Sequence, residues 1–163
     1  MNRLVSTAAL VASLVLAATA NAQAPAPAPA APPLLYGPNI TLEQAMQVAG
    51  ASIAEAGKRK LPATIAIVDT SGALVYFQRA TNAPGTAEAF ATRKAVAAVK
   101  QRHPTSLDQA RLKADPAATA FLPDFFPFGG GIPIVLDGKI IGAIGETGGA
   151  DEDVARAGAS VFH

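Results

Sequence analysis

The 163-residue chain has no cysteine and only two histidines, and its 13 basic and 12 acidic residues nearly cancel. Without cysteine, no disulfide staples the fold and no thiolate holds a structural zinc. The histidines, His103 and His163, lie far apart, and no His-x-x-x-His spacing occurs, so a histidine metal cage has no basis. Gly-x-Ser-x-Gly is absent, which removes a common hydrolase arrangement. So is Gly-x-x-x-x-Gly-Lys-Ser/Thr, the loop that cradles a nucleotide phosphate. Balanced charge leaves no electrostatic grip on nucleic acid or a membrane surface. No internal repeat is visible.

What is present begins with a leader. MNRLVSTAALVASLVLAATANAQ has a basic Arg3, an uncharged apolar run from Leu4 to Ala18, and Ala20-Asn21-Ala22 as a cleavage signal. These features predict a signal peptide over 1–22, cleaved after Ala22, and a periplasmic or secreted protein. Residues 23–40 form a Pro/Ala-rich leader, in which APAPAPAAPP favours an extended spacer without a core. The remaining domain, 41–163, is long enough for one core.

Thr41 with Gln44 three residues on reads as a capping box. Leu42, Ala45, Met46, Ala49, Ile53 and Ala56 then recur at helical spacing, so Met46 is expected in the core. Two strand-like runs in ATIAIVDTSGALVYFQRA flank Thr70-Ser71-Gly72 and predict a hairpin, with Asp69 serving the turn. A helix from about Thr86 to Arg102 carries an expected buried stripe, rich in alanine, of Ala87, Phe90, Ala91, Ala95, Ala98 and Val99. Arg93 and Lys94 sit mid-helix, and such a pair usually belongs to a solvated face. FLPDFFPF, 121–128, is too rigid and apolar for open solvent and is expected in a core, against a flat ligand or, first, at an oligomer contact.

FGGGIPIVLDGKIIGAIGETGG, 128–149, holds eight of the 14 glycines. Asp137-Gly138 between its two apolar runs is a strong hairpin signal. Asp151 begins a last helix with acids in its first turn, and Val154, Gly158 and Val161 are expected to face inward. Asp151, Glu152 and Asp153 read as helix-start acids before a calcium site. The order α, hairpin, α, short turns, hairpin, α predicts an α+β sandwich: an antiparallel sheet of about five strands with helices on its faces.

IAIVDTSGALVYFQR, the helix with Arg93-Lys94-Ala95, FGGGIPIVLDGKIIGAIGETGG, and Asp151-Glu152 followed by Val154-Ala155 together resemble the GlcG/HbpS-like haem-binding, or haem-degrading, family. The resemblance runs from about Thr41 to Phe162. It implies a profilin-like sandwich, self-assembly, and links to haem binding, slow haem breakdown, redox sensing, or small hydroxy acid and diol metabolism. Only Ala150 separates Gly149 from Asp151, a shorter segment than the family usually has.

The expectation is therefore a secreted or periplasmic protein for a small, flat, anionic and mostly apolar ligand, haem first. Arg79, Arg93 and Lys94 are candidate partners for its carboxylates. Gly129, Gly130, Gly131, Gly148 and Gly149 are candidates to let a ring approach bare backbone, with Glu146 beside them. No catalytic residue is assigned, and His103 is the candidate iron ligand. The alternatives are an oligomeric interaction or sensor module without haem, an accessory protein for a small hydroxy acid or aldehyde pathway, and an enzyme on such a substrate with Glu146 or Asp151 as base.

Overall fold

The computed structural model describes residues 32–120 and 122–162. The expected signal peptide, residues 23–31 of the leader, Phe121 and His163 lie outside the described residues. No described helix is long and apolar enough to cross a membrane.

Helix α1, Leu42–Lys58, starts at the expected capping box: Gln44 N donates to Thr41 Oγ1 at 3.2 Å and Thr41 N to Gln44 Oε1 at 2.9 Å. Its buried face is Ala45, Val48, Ala49, Ser52 and Ala56, not the larger residues. Met46, expected in the core, is 56% exposed, as Leu42 is at 50%. The helix packs by its smallest side chains because the last helix comes very close; a Cβ on Gly158 there would meet Val48 O.

Strands β1, Thr64–Asp69, and β2, Leu74–Gln78, form the first antiparallel hairpin. Asp69 serves its turn, its Oδ1 accepting from Ser71 N at 2.8 Å and Ala73 N at 3.0 Å. Helix α2 is Ala87–Gln101, followed by α3, Thr105–Ala114, and the single turn α4, Pro116–Thr119. Strands β3, Gly131–Leu136, and β4, Lys139–Thr147, close the second hairpin through Asp137 and Gly138, both at positive φ (49° and 72°). Helix α5, Asp151–Ala159, runs into a 3₁₀ turn, Ser160–Phe162. Its inward side is Val154, Ala155, Gly158 and Ala159; Val161, expected inside, falls in the 3₁₀ turn and is 37% exposed.

The sheet has four strands rather than about five, in the order β2-β1-β4-β3, antiparallel throughout. Beyond the end of β1, the chain ahead of α1 takes its place beside β4. Ile140 N donates to Leu35 O, Gly37 N to Ile140 O and Ile40 N to Ile141 O. Residues 35–40 thus belong to the domain rather than the leader, but only Tyr36 makes a bridge there, too little for a strand.

Both faces of β1 are apolar because both are covered. Ile65 and Ile67 join Ile134, Ile144, Val48 and Ala155 in the layer under α1 and α5. Val68 joins Ala143, Ile140 and the α2 stripe of Ala95, Ala98 and Val99. Helix α2 sits unusually near the sheet. A Cβ on Gly145 would fall on Ala91 O, and one on Gly131 on Lys94 O, so glycine is what permits this spacing.

Candidate functional site

Lys94 lies on the buried alanine face of α2, with 2% of its surface exposed, against the reading of Arg93-Lys94 as a solvated pair. Its Nζ donates to Glu146 O at 2.8 Å and pairs with Asp151 Oδ2 at 2.5 Å. One ammonium therefore ties α2 on one face of the sheet to α5 on the other, across the end of β4.

Asp151 is the hub. Its Oδ1 accepts from Gly149 N at 2.8 Å and Gly148 N at 3.2 Å. Burial alone would raise its carboxyl, but the Lys94 ammonium and the two amides outweigh burial and hold it below the usual carboxylate range. Glu146 is the opposite case. It is fully buried, and neither of its carboxyl oxygens has a hydrogen-bond partner. Burial first, then the neighbouring Asp151 charge, then a hydrogen bond to Asp151 that only the protonated form can make, push it from its ordinary 4.5 to about 9, with Lys94 opposing only in part. Glu146 is therefore a neutral acid at neutral pH.

The glycine amides expected to await a ligand are already taken. Gly148 and Gly149 serve Asp151; Gly130 N donates to Glu152 Oε2 at 3.1 Å; Gly131 N donates to Thr105 Oγ1 at 2.9 Å. Gly129 lies against the same Glu152 carboxylate. The three helix-start acids do not converge on a cation: Asp151 turns to Lys94, Glu152 to Ser106 and Arg156, and Asp153 to Arg59. Among the described residues no group of three potential ligands is set to hold a metal ion.

A cavity of about 610 Å³ opens beside this cluster, between Pro62, the 81–84 loop and the Thr147–Gly149 turn, with Asp151 in its wall. Its lining is mostly apolar side chains and backbone. Behind this lining, Thr147 Oγ1 is buried without a protein partner.

Of the residues singled out in the sequence, Lys94, Gly130, Glu146, Gly148 and Gly149 gather around Asp151, with Gly129 and Gly131 just behind. Arg79 is exposed at the base of the loop that walls the cavity, its guanidinium donating to Ala83 O at 2.5 Å. Arg93 is elsewhere. One residue from Lys94 is about 100° round a helix, so Arg93 points outward and lies 4.3 Å over the Phe126 ring, in a separate groove with Leu122 and Phe125. His103 is also apart: Nδ1 meets Pro104 O at 3.0 Å, and Nε2 faces Arg111 and the buried Asp108. Thr147 and the 81–84 loop were missed, and no local pattern marks them. The role of Asp151 had a usable signal, an acid two and three residues after adjacent glycine amides.

Residues 40–160 match the family described as "Haem degrading protein HbpS-like". The chain is 32% identical over 119 residues to an uncharacterized 15.0 kDa protein in the dhaT-dhaS intergenic region of Citrobacter freundii, covering 69% of this chain and 82% of that one. Among solved structures, a double mutant of Streptomyces reticuli HbpS superposes with a TM-score of 0.69 at 33% identity, over 85% of this chain and 99% of the other. A PduOC–haem complex superposes with a TM-score of 0.67 at 25% identity, over 75% and 94%.

Proposed function

The chain belongs to the HbpS-like family, and on that premise we propose that it binds haem in the cavity between the 81–84 loop and the Thr147–Gly149 turn. The observation that carries the proposal is this cavity. Its volume of about 610 Å³ lies within the range of small-molecule sites, and its exposed surface is largely apolar. A relative of similar fold is known as a haem complex, which favours haem over other flat ligands.

The residues present fit the porphyrin body better than its iron. Among the described residues no His, Met or Tyr lines the cavity. Tyr36 donates to Val99 O, Tyr76 to Gln78, and Met46 is out on α1. Lys94 is committed to Asp151, which leaves Arg79 at the loop base to meet a carboxylate at the mouth. Bound haem would itself supply any iron and oxygen chemistry of its breakdown. The chain's part is to exclude water with Pro62, Ala83 and Pro84.

We place this activity outside the cytoplasm, after cleavage behind Ala22, as the N-terminal sequence implies. A second reading, self-association, draws on the exposed Leu122 (39%) and Phe128 (47%) of the FLPDFFPF segment. Haem titration of the purified protein, followed by Soret absorbance, tests the main reading. One saturable haem per chain is expected, weakened at least tenfold by Ala83→Trp, which fills the cavity, and unchanged by Arg93→Ala or His103→Ala. Binding that does not saturate, or that ignores Ala83→Trp, refutes the site.

A further inference from the structure

Glu146 and Lys94 are buried and Asp151 is half-buried, and haem binding does not use the three directly. A fully buried carboxyl with two partnerless oxygens is costly in any charge state unless something meets it. Two acids and one ammonium in contact leave one negative charge too many for a buried cluster.

We infer that Glu146 and Asp151 share a single proton, and that this carboxyl pair, pinned by Lys94, latches the Thr147–Gly149 wall of the cavity to the start of α5. With both carboxyls ionised, Glu146 has no partner; with one proton, it gains an anionic acceptor, Asp151, and the triad is neutral. Glu146 sits directly behind the wall, since a Cβ on Gly148 would lie 3.0 Å from Glu146 Oε1. Asp151 holds the same wall through the Gly148 and Gly149 amides. Lys94 holds it from α2 through Glu146 O.

The charged groups acting on Glu146 are Asp151 from α5 and Lys94 from α2. From the sheet, β1 places Ile65 opposite it, and the turn before β1 brings the Pro62 carbonyl to Gly148. Glu152 and Asp153 are engaged by Ser106, Arg156 and Arg59 and face away. Glu146 is thus a positioning residue: its proton keeps the cavity wall closed on α5, and alkaline pH releases it. The inference requires no particular ligand in the cavity, so it stands or falls separately from haem binding.

Infrared difference spectra and amide hydrogen exchange on the ligand-free protein test it. At neutral pH the wild type should show the C=O band of an un-ionised carboxylic acid, lost as pH passes about 9 and absent in Glu146→Gln. Across the same pH range, protection of the Gly148 and Gly149 amides, corrected for intrinsic rate, should fall at least tenfold in the wild type and persist in Glu146→Gln. The absence of an acid band at pH 7, or equal protection in the two proteins above pH 9, overturns the latch. Should Glu146→Gln fail to fold, the wild-type band and its loss on titration decide alone.

Discussion

Glu146→Gln should change the pH dependence of stability in a way no other single substitution here would. The wild-type carboxyl is ionised in the unfolded chain above about pH 4.5 and neutral in the folded one until about 9. Folding therefore takes up a proton throughout that window. Its stabilising contribution is complete below 4.5, declines as pH rises, and has been lost once pH passes the folded value near 9. Each pH unit costs about 1.4 kcal/mol, so at pH 7 the group is about 3 kcal/mol less favourable than in acid, and above pH 9 about 6. Glutamine has nearly the same shape and no such penalty. Its amide leaves one N–H unpaired, which costs roughly 1–3 kcal/mol at every pH. The variant should thus be less stable than wild type near pH 4.5, cross it at or below neutrality, and exceed it by several kcal/mol at pH 9. Urea unfolding at pH 5, 6, 7, 8 and 9 measures the difference, in which the slope of the distant Asp69 cancels. Parallel curves for the two proteins would refute a buried neutral Glu146.

Two other substitutions probe the framework. Lys94→Met keeps the stem and removes the charge, leaving the half-buried Asp151 without its counter-ion and Glu146 O without its donor; a loss of about 1–3 kcal/mol in urea unfolding at pH 7 is expected, and no loss would mean the ion pair holds nothing together. Gly145→Ala places a methyl on Ala91 O and must push α2 off the sheet; at least 1–3 kcal/mol should be lost, whereas Gly57→Ala, which meets nothing within 4 Å, should be neutral or stabilising.

Much of the fold was legible because local rules and packing agree there. The Thr41–Gln44 box, the Asp69 turn and the Asp137-Gly138 hairpin each sit where their chemistry predicted. The equal apolarity of both faces of β1 correctly implied two covering layers. Misreadings came where size overrode hydrophobicity. Helix α1 buries Ala45, Ala49 and Ser52 and leaves Leu42 and Met46 outside, because close helix contact selects small side chains. Lys94 had a readable signal that its charge obscured: it lies three residues after Ala91 and four before Ala98, in phase with the buried stripe. Glu146 likewise shares a face with Ile144, paired opposite Ile65 and Ile67 of β1. The cavity was not legible, since Pro62, the 81–84 loop and 147–149 come together only through the sheet.

The glycines of 128–149 then acquire a different meaning from the expected one. They do not hold amides open for a ligand's carboxylate; they bring backbone close enough for two of the chain's own carboxylates, Asp151 and Glu152, to take those amides. An anionic group entering the cavity would have to compete with Asp151 for the same donors, and would do so beside a second acid whose ionisation the site already suppresses. The inner wall therefore selects against charge and for an apolar surface. The cation at the loop is at its base, where Arg79 holds Ala83 O and is itself exposed. A ligand with carboxylates confined to one edge and an apolar body elsewhere matches that polarity, entering apolar edge first. By the same reasoning, Arg79→Ala should weaken such a ligand more than an uncharged analogue of the same shape, since both feel the loosened Ala83 but only the first loses a counter-charge.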